Sequence, residues 1–264
     1  MSIQSLRGFQ EEAVTSGVGL FTAAKELLAA AGADAAGRAA AINHNGYLLI
    51  EAATGSGKTL MAGTIVERFT QVEDVVWFWF APFKGVVGQS AAFLREQFHG
   101  LRLRELTGDR VAAGSRRGDV FVTTWQTVAT RVKDKRNVRK ETDTNPSVDT
   151  LIESLREQGL RIGVVVDEAH HGFGKDTLAA KFFREVLKPE YTILITATLI
   201  RLHGGPACTP LATLRHAATL TAQALPLMLV LFLLFPRIPG PLWGMPRDAY
   251  SARTGLSDRM APGN

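Results

Sequence analysis

The chain of 264 residues is 46% hydrophobic and 21% charged, enough for one large domain or two small ones and too apolar for wholesale disorder. A single cysteine, Cys208, excludes a disulfide framework or a multi-cysteine zinc site, and the opening MSIQSLRGFQEEAV lacks a secretory pattern, so a cytoplasmic protein is expected. The net charge of +5 divides unevenly: residues 1–200 carry 24 Lys and Arg against 23 Asp and Glu, whereas residues 201–264 carry 6 Arg against 2 Asp. Global charge is therefore no argument for nucleic-acid binding by the main part of the chain, and such an argument must come from local sites.

In chain order, the pattern predicts a helix around Phe9–Val14 and an Ala-rich helix around Leu20–Ala41. The short apolar runs Tyr47–Ala53, Val75–Ala81, Asp119–Thr124, Ile162–Asp167 and Thr192–Thr196 read as strands buried on both faces of a parallel sheet. Helical patterns at Lys58–Phe69, Lys84–Gln97, Val148–Gln158 and Thr177–Leu187 fall between most of them. This alternation predicts an α/β fold, a doubly wound and mostly parallel sheet flanked by helices, with its ligand site beyond the carboxyl ends of the strands. Trp77, Phe78, Trp79 and Phe80 lie within a strand and are expected in the core. Arg131–Lys140, with six basic residues and one acid, reads as an exposed insertion, either a plain solvated face or a source of salt-sensitive affinity for DNA.

The composition changes near residue 200. No Lys occurs after Lys188 and no Glu after Glu190, while 8 of the 11 prolines follow residue 200. Residues 1–200 are expected to form one domain, and 201–264 an irregular C-terminal tail without strand or helix period. Two readings account for the tail: a frame change near Ile200, or a true but unusual extension. Within it Ala217–Phe235 is a run of 19 residues without a charge, which approaches the length that crosses a bilayer but is interrupted by Gln223 and Pro226.

The polar motifs follow strands, as the fold requires. Ala52-Ala53-Thr54-Gly55-Ser56-Gly57-Lys58-Thr59 joins a strand to a helix and reads as a phosphate loop, with Ala52 where the generic motif has Gly. Its glycines turn backbone N–H groups toward a phosphate, Lys58 reaches the outer phosphates, and Thr59 can ligate Mg²⁺. Asp167-Glu168-Ala169-His170 ends another strand, with Asp167 suited to hold Mg²⁺ through its water shell and Glu168 to orient and deprotonate an attacking water. His171 is read as a surface or supporting residue, since no cysteine lies nearby to complete a zinc site.

Together with these, Leu6-Arg7-Gly8-Phe9-Gln10 and Thr196-Ala197-Thr198 complete an ordered set over roughly residues 5–200. The set resembles the first RecA-like lobe of superfamily 2 helicases, in the DEAD/DEAH-box branch that includes the helicase subunits of type I and type III restriction enzymes and the excision-repair helicases. The resemblance implies a RecA-like P-loop NTPase lobe using ATP and Mg²⁺. It implies nucleotide binding by Gln10, which reads adenine, and by Thr54, Gly55, Ser56, Gly57, Lys58 and Thr59. It implies catalysis by Lys58, Asp167 and Glu168, metal binding by Thr59 and Asp167, and coupling to strand movement by His170, Thr196 and Thr198. Phe80–Gln89, Thr107-Gly108-Asp109 and Thr123–Gln126 resemble the strand-contacting motifs. Pro82, Lys84, Gln89, Thr107, Gly108 and Thr124 are thereby candidates for gripping a nucleic-acid backbone without reading bases, although plain strand-end loops would carry the same residues. The expected partners are DNA or RNA and, in a restriction or repair system, a restriction or methylation subunit or a chain supplying a second lobe. Residues 201–264 show no QxxGRxxR-type motif, and Leu199 stands where these helicases usually continue with Pro. Since an arginine from the second lobe accounts for much of the turnover in such motors, this chain alone is expected to bind nucleotide with weak or absent hydrolysis and without processive unwinding.

Overall fold

The computed structural model describes residues 4–106, 112–129, 139, 146–169 and 177–197, with the backbone of 212–215. The chain divides into two compact units, residues 1–216 and 217–264, and the described residues belong to the first. The expectations for Thr107, Gly108, His170, Thr198 and the apolar run Ala217–Phe235 fall outside the described residues.

The N-terminal helices divide differently from the sequence expectation. One long helix, α1 (Gly8–Ala31), is followed by α2 (Ala35–Asn45). The break is local chemistry: Gly32 adopts φ 54°, a left-handed conformation that ends a helix, and the Asp34 side chain accepts from the Ala36 and Gly37 N–H groups to start the next. The core of the fold then alternates as predicted: β1 (Tyr47–Glu51), α3 (Lys58–Thr70), β2 (Val75–Ala81) and α4 (Lys84–Gln97), then β4 (Asp119–Thr124), α6 (Val148–Glu157), β5 (Arg161–Val166), α7 (Leu178–Phe182) and β6 (Tyr191–Thr196). Helix α7 continues as one π-helical turn, Phe183–Leu187.

Three elements are additional to the expectation: β3 (Arg102–Glu105), the single turn α5 (Trp125–Val128) and β7 (Ala212–Arg215). The last is a four-residue strand within the stretch expected to be irregular, and it adds to the sheet. The seven strands run in the order β3-β4-β2-β5-β6-β1-β7, and every neighbouring pair is parallel. A four-residue strand is too short for a hydrophobic period to appear. Register explains its presence: Leu48–Glu51 pair with Ala212–Arg215, which covers an edge of β1 that would otherwise leave N–H and C=O groups unpaired.

Strand alternation sorts the core into two layers. On β2, Val75, Trp77 and Trp79 join α1, α3 and α4 residues such as Phe21, Phe69 and Leu94 on one face of the sheet. Val76, Phe78 and Phe80 join α6 and α7 residues such as Leu151, Ile152 and Phe182 on the other. All four aromatics at 77–80 are fully buried, as the sequence leads one to expect. β3 is tied to β4 by charge: Asp119, fully buried, accepts from Arg102 Nε at 2.6 Å and Arg104 Nη1 at 3.1 Å. The Arg104 guanidinium also lies 4.9 Å from the Phe121 ring centroid.

Candidate functional site

The site is built where β1, β5 and β6 end side by side. After β1 the chain turns through Gly55 (φ 82°) and Gly57 (φ 83°), values that a side chain would strain, and α3 begins at Lys58. Gly57 also packs close to Gln10, whose side-chain amide would have to shift for a Cβ there. Lys58 Nζ donates to the carbonyls of Ala52 at 2.8 Å and Ala53 at 3.1 Å, holding the ammonium at the mouth of the loop. The Ser56 hydroxyl is buried with no hydrogen-bond partner among the described residues.

After β5, Asp167 accepts the Glu168 N–H at its Oδ1, 3.0 Å, and its own N–H donates to Phe80 O at 2.8 Å. Burial, and then the neighbouring Glu168 charge, push the Asp167 carboxyl above its ordinary range, against the opposing effects of that hydrogen bond and of Lys58. Glu168 holds φ 49°, a left-handed conformation costing about 1–2 kcal/mol for such a residue. The strand between them acts as a tie: β6 lies between β5 and β1. Ile195 O accepts from Ala169 N at 2.9 Å and Thr196 O accepts from Ala52 N at 3.3 Å. Thr196, fully buried, thus touches the start of the phosphate loop one residue from a bond to the acidic turn.

Thr54, Gly55, Gly57, Lys58, Thr59, Asp167 and Glu168 line one cleft of about 430 Å³. The donor set suits a hard divalent cation: a hydroxyl and two carboxylates, one of them raised by burial and like charge, so that a cation nearby would favour its ionised form. No group of three or more His, Cys, Asp or Glu residues among the described residues could form a cage by itself. The residues therefore fit Mg²⁺ held jointly with phosphates and water.

Gln10 sits against the phosphate loop. It is 5% exposed, its amide donates to Ser56 O at 2.7 Å and its Oε1 accepts from Arg7 N at 2.8 Å. It therefore braces the phosphate loop from α1, and does not line the cleft. Gln4, Ser90 and Phe93 do line it, as does Gln89, which the sequence assigned to the nucleic-acid strand. Lys84 and Thr124 instead meet in a second groove of about 400 Å³ with Arg95, Arg104 and Thr127. Helix α4 forms a wall of both: Val86, Gln89, Ser90 and Phe93 face the cleft, while Lys84, Val87, Gly88, Ala91 and Arg95 face the groove. Pro82 O accepts from Gln126 Nε2 at 3.4 Å, linking the turn before α4 to α5. The helical period would have separated the two sets on α4; the contribution of Arg104 from β3 had no such signal.

Residues 4–201 match the family described as type III restriction enzyme, res subunit. Residues 191–264 match a second family, the TgpA N-terminal domain, so the two matches share 191–201. A curated relative, protein-glutamine gamma-glutamyltransferase of Pseudomonas aeruginosa PAO1, is 51% identical over 79 residues, covering 28% of this chain and 12% of its own. Among solved structures, the UvsW helicase from bacteriophage T4 is 12% identical with a TM-score of 0.44, covering 75% of this chain and 57% of that one. The Type ISP restriction-modification enzyme LlaGI, a nuclease-deletion mutant in complex with a DNA substrate mimic, is 18% identical with a TM-score of 0.41, covering 74% and 18%. The Pyrococcus furiosus Hef helicase domain is 22% identical with a TM-score of 0.38, covering 64% and 32%. The chain thus spans 12% of the curated relative and no more than 57% of these solved chains. Among the described residues no helix is long and apolar enough to cross a membrane.

Proposed function

Because the chain belongs to the family of type III restriction enzyme res subunits, we propose that it is the ATP-binding lobe of a nucleic-acid motor of the helicase kind, acting on DNA or RNA in a restriction or repair system. The observation that carries this reading is the convergence of Lys58, Thr59, Asp167 and Glu168 on one cleft. Lys58 and the N–H groups of residues 55–59 hold the outer phosphates of ATP. Thr59 and Asp167 would hold Mg²⁺, which supplies Lewis acidity at the phosphoryl oxygens when bound. Glu168 orients a water in line with the outer phosphate and accepts its proton. Thr196, bonded to the phosphate loop through its carbonyl, transmits a change in the loop to the sheet edge.

Lys58→Ala should lose ATP binding, and Glu168→Gln should keep binding while losing hydrolysis, read by nucleotide titration and by strand-stimulated phosphate release. Unchanged turnover in both variants would sink the assignment.

One observation favours a second reading, nucleotide binding without turnover by this chain alone. Residues 191–264, where a second lobe would begin, match a different domain. That match supports residues 201–264 as an in-frame piece of another domain joined to the lobe of residues 1–200, in preference to translation of a shifted frame. Purified protein should then bind ATP with Mg²⁺ and show no strand-stimulated hydrolysis; robust turnover would refute this version.

A further inference from the structure

Glu11 and Arg68 stand 57 residues apart in sequence and meet as a two-pronged pair. Arg68 Nη1 donates to Glu11 Oε1 at 2.5 Å and Nη2 to Oε2 at 3.0 Å, bonds that hold the Glu11 carboxyl below its ordinary range. A half-exposed ion pair of this kind adds little to stability, but it joins two elements that meet at the phosphate loop. Glu11 lies in the first turn of α1, next to Gln10, and Arg68 lies in the last turn of α3, the helix that begins at Lys58. The Gln10 amide ties the same first turn to the loop: its oxygen accepts from Arg7 N, closing the start of the helix, and its nitrogen donates to Ser56 O. Gly57 lies so close to this amide that a Cβ there would force it to shift, so a displacement of the first turn is felt in the loop. Upstream, Gln4, which lines the cleft, donates its N–H to Gln97 Oε1 at 2.8 Å. Residues 4–11 are thus held to α4 at one end and to α3 at the other, with the bond to the loop between them.

We propose that Arg68 is a positioning residue for nucleotide binding: through Glu11 it fixes the first turn of α1, so that Gln10 holds Ser56 and the phosphate loop in the shape that meets a phosphate. The proposal rests on the ATP-binding reading of the cleft. Arg68 is not among the residues that line the cleft and acts on it through other side chains.

Two readouts test this. In hydrogen exchange on the protein without nucleotide, Arg68→Gln and Gln10→Met should each speed exchange of residues 52–60 about threefold, with no further rise in the double variant. Residues 119–124 of the sheet should exchange as in the parent protein. In titration with the fluorescent nucleotide mant-ATP and Mg²⁺, Arg68→Gln should bind about threefold more weakly, and Arg68→Lys should recover part of the loss, since it keeps the charge without the fork. Loop exchange unchanged in Arg68→Gln, raised equally in the sheet, or raised by an amount that adds in full to that of Gln10→Met overturns the positioning role. Lys58→Ala checks the ATP reading separately. If it binds mant-ATP like the parent, that reading fails and the proposal with it, whereas loss of binding there beside an unaltered Arg68→Gln removes the positioning role alone.

Discussion

At the residue scale, the acidic turn holds two unfavourable features side by side: a carboxylate pushed above its ordinary range and a left-handed Glu168. Both make sense where a cation and a water must be held, and both weaken the protein without ligand. Because the folded pKa of Asp167 is raised, the folded state binds its proton more tightly than the unfolded chain does. That contribution is fully present below the ordinary carboxylate range and is lost as pH rises through the folded pKa. Asp167→Asn keeps the acceptor for the Glu168 N–H while removing the charge. It should therefore raise the melting temperature at neutral pH, with the gain shrinking as pH falls to the ordinary aspartate range. Thermal melts of the two proteins over that pH series check this, and a gain that grows on acidification would contradict it. The motif residues of this site were legible because each contributes through a contiguous run at a strand end. The brace from Gln10 to Ser56 was not, because it joins residues 46 apart whose meeting depends on how α1 lies against the loop.

At the element scale, the strands that read clearly were the ones buried on both faces. β2 and β4 have the predicted bounds, Val75–Ala81 and Asp119–Thr124. β3 escaped notice because its inward-facing residue is Arg104, a cation whose burial becomes sensible only once Asp119 is opposite it. This pair offers a direct measure of what holds the β3–β4 edge together. Asp119 is fully buried and Arg104 is 9% exposed, so Asp119→Ala would strand a buried guanidinium. It should destabilise the fold by about 3–5 kcal/mol, seen as a fall in the urea midpoint. Asp119→Asn keeps an acceptor for Arg102 and Arg104 and should lose less. Equal losses in the two variants would mean that the stabilisation comes from the charge and that a neutral acceptor recovers none of it. α5 escaped for a different reason: it is one turn, started by the Thr124 side chain accepting from Thr127 N. Four residues carry no helical period to read.

At the scale of the whole molecule, the change of composition near residue 200 marks the end of the res-subunit match at 201, yet it does not mark the end of the sheet. β6 lies within the shared stretch 191–201, and β7 lies beyond it, in the part matched by the TgpA N-terminal domain alone. The sheet of the lobe therefore uses chain from both matches. β1 is the strand that depends on this arrangement: Leu48 and Ile50 are buried to 1% exposure or less, and β7 runs along the edge away from β6. A chain ending after residue 200 would leave that edge as a row of unpaired N–H and C=O groups on an apolar strand, a template for pairing with another copy. A chain ending after residue 216 would keep it covered. Sedimentation velocity on the two truncations should therefore show concentration-dependent association in the shorter protein and a monomer in the longer one. If both sediment as monomers, the edge of β1 does not need β7, and the lobe is complete within the residues of the res-subunit match.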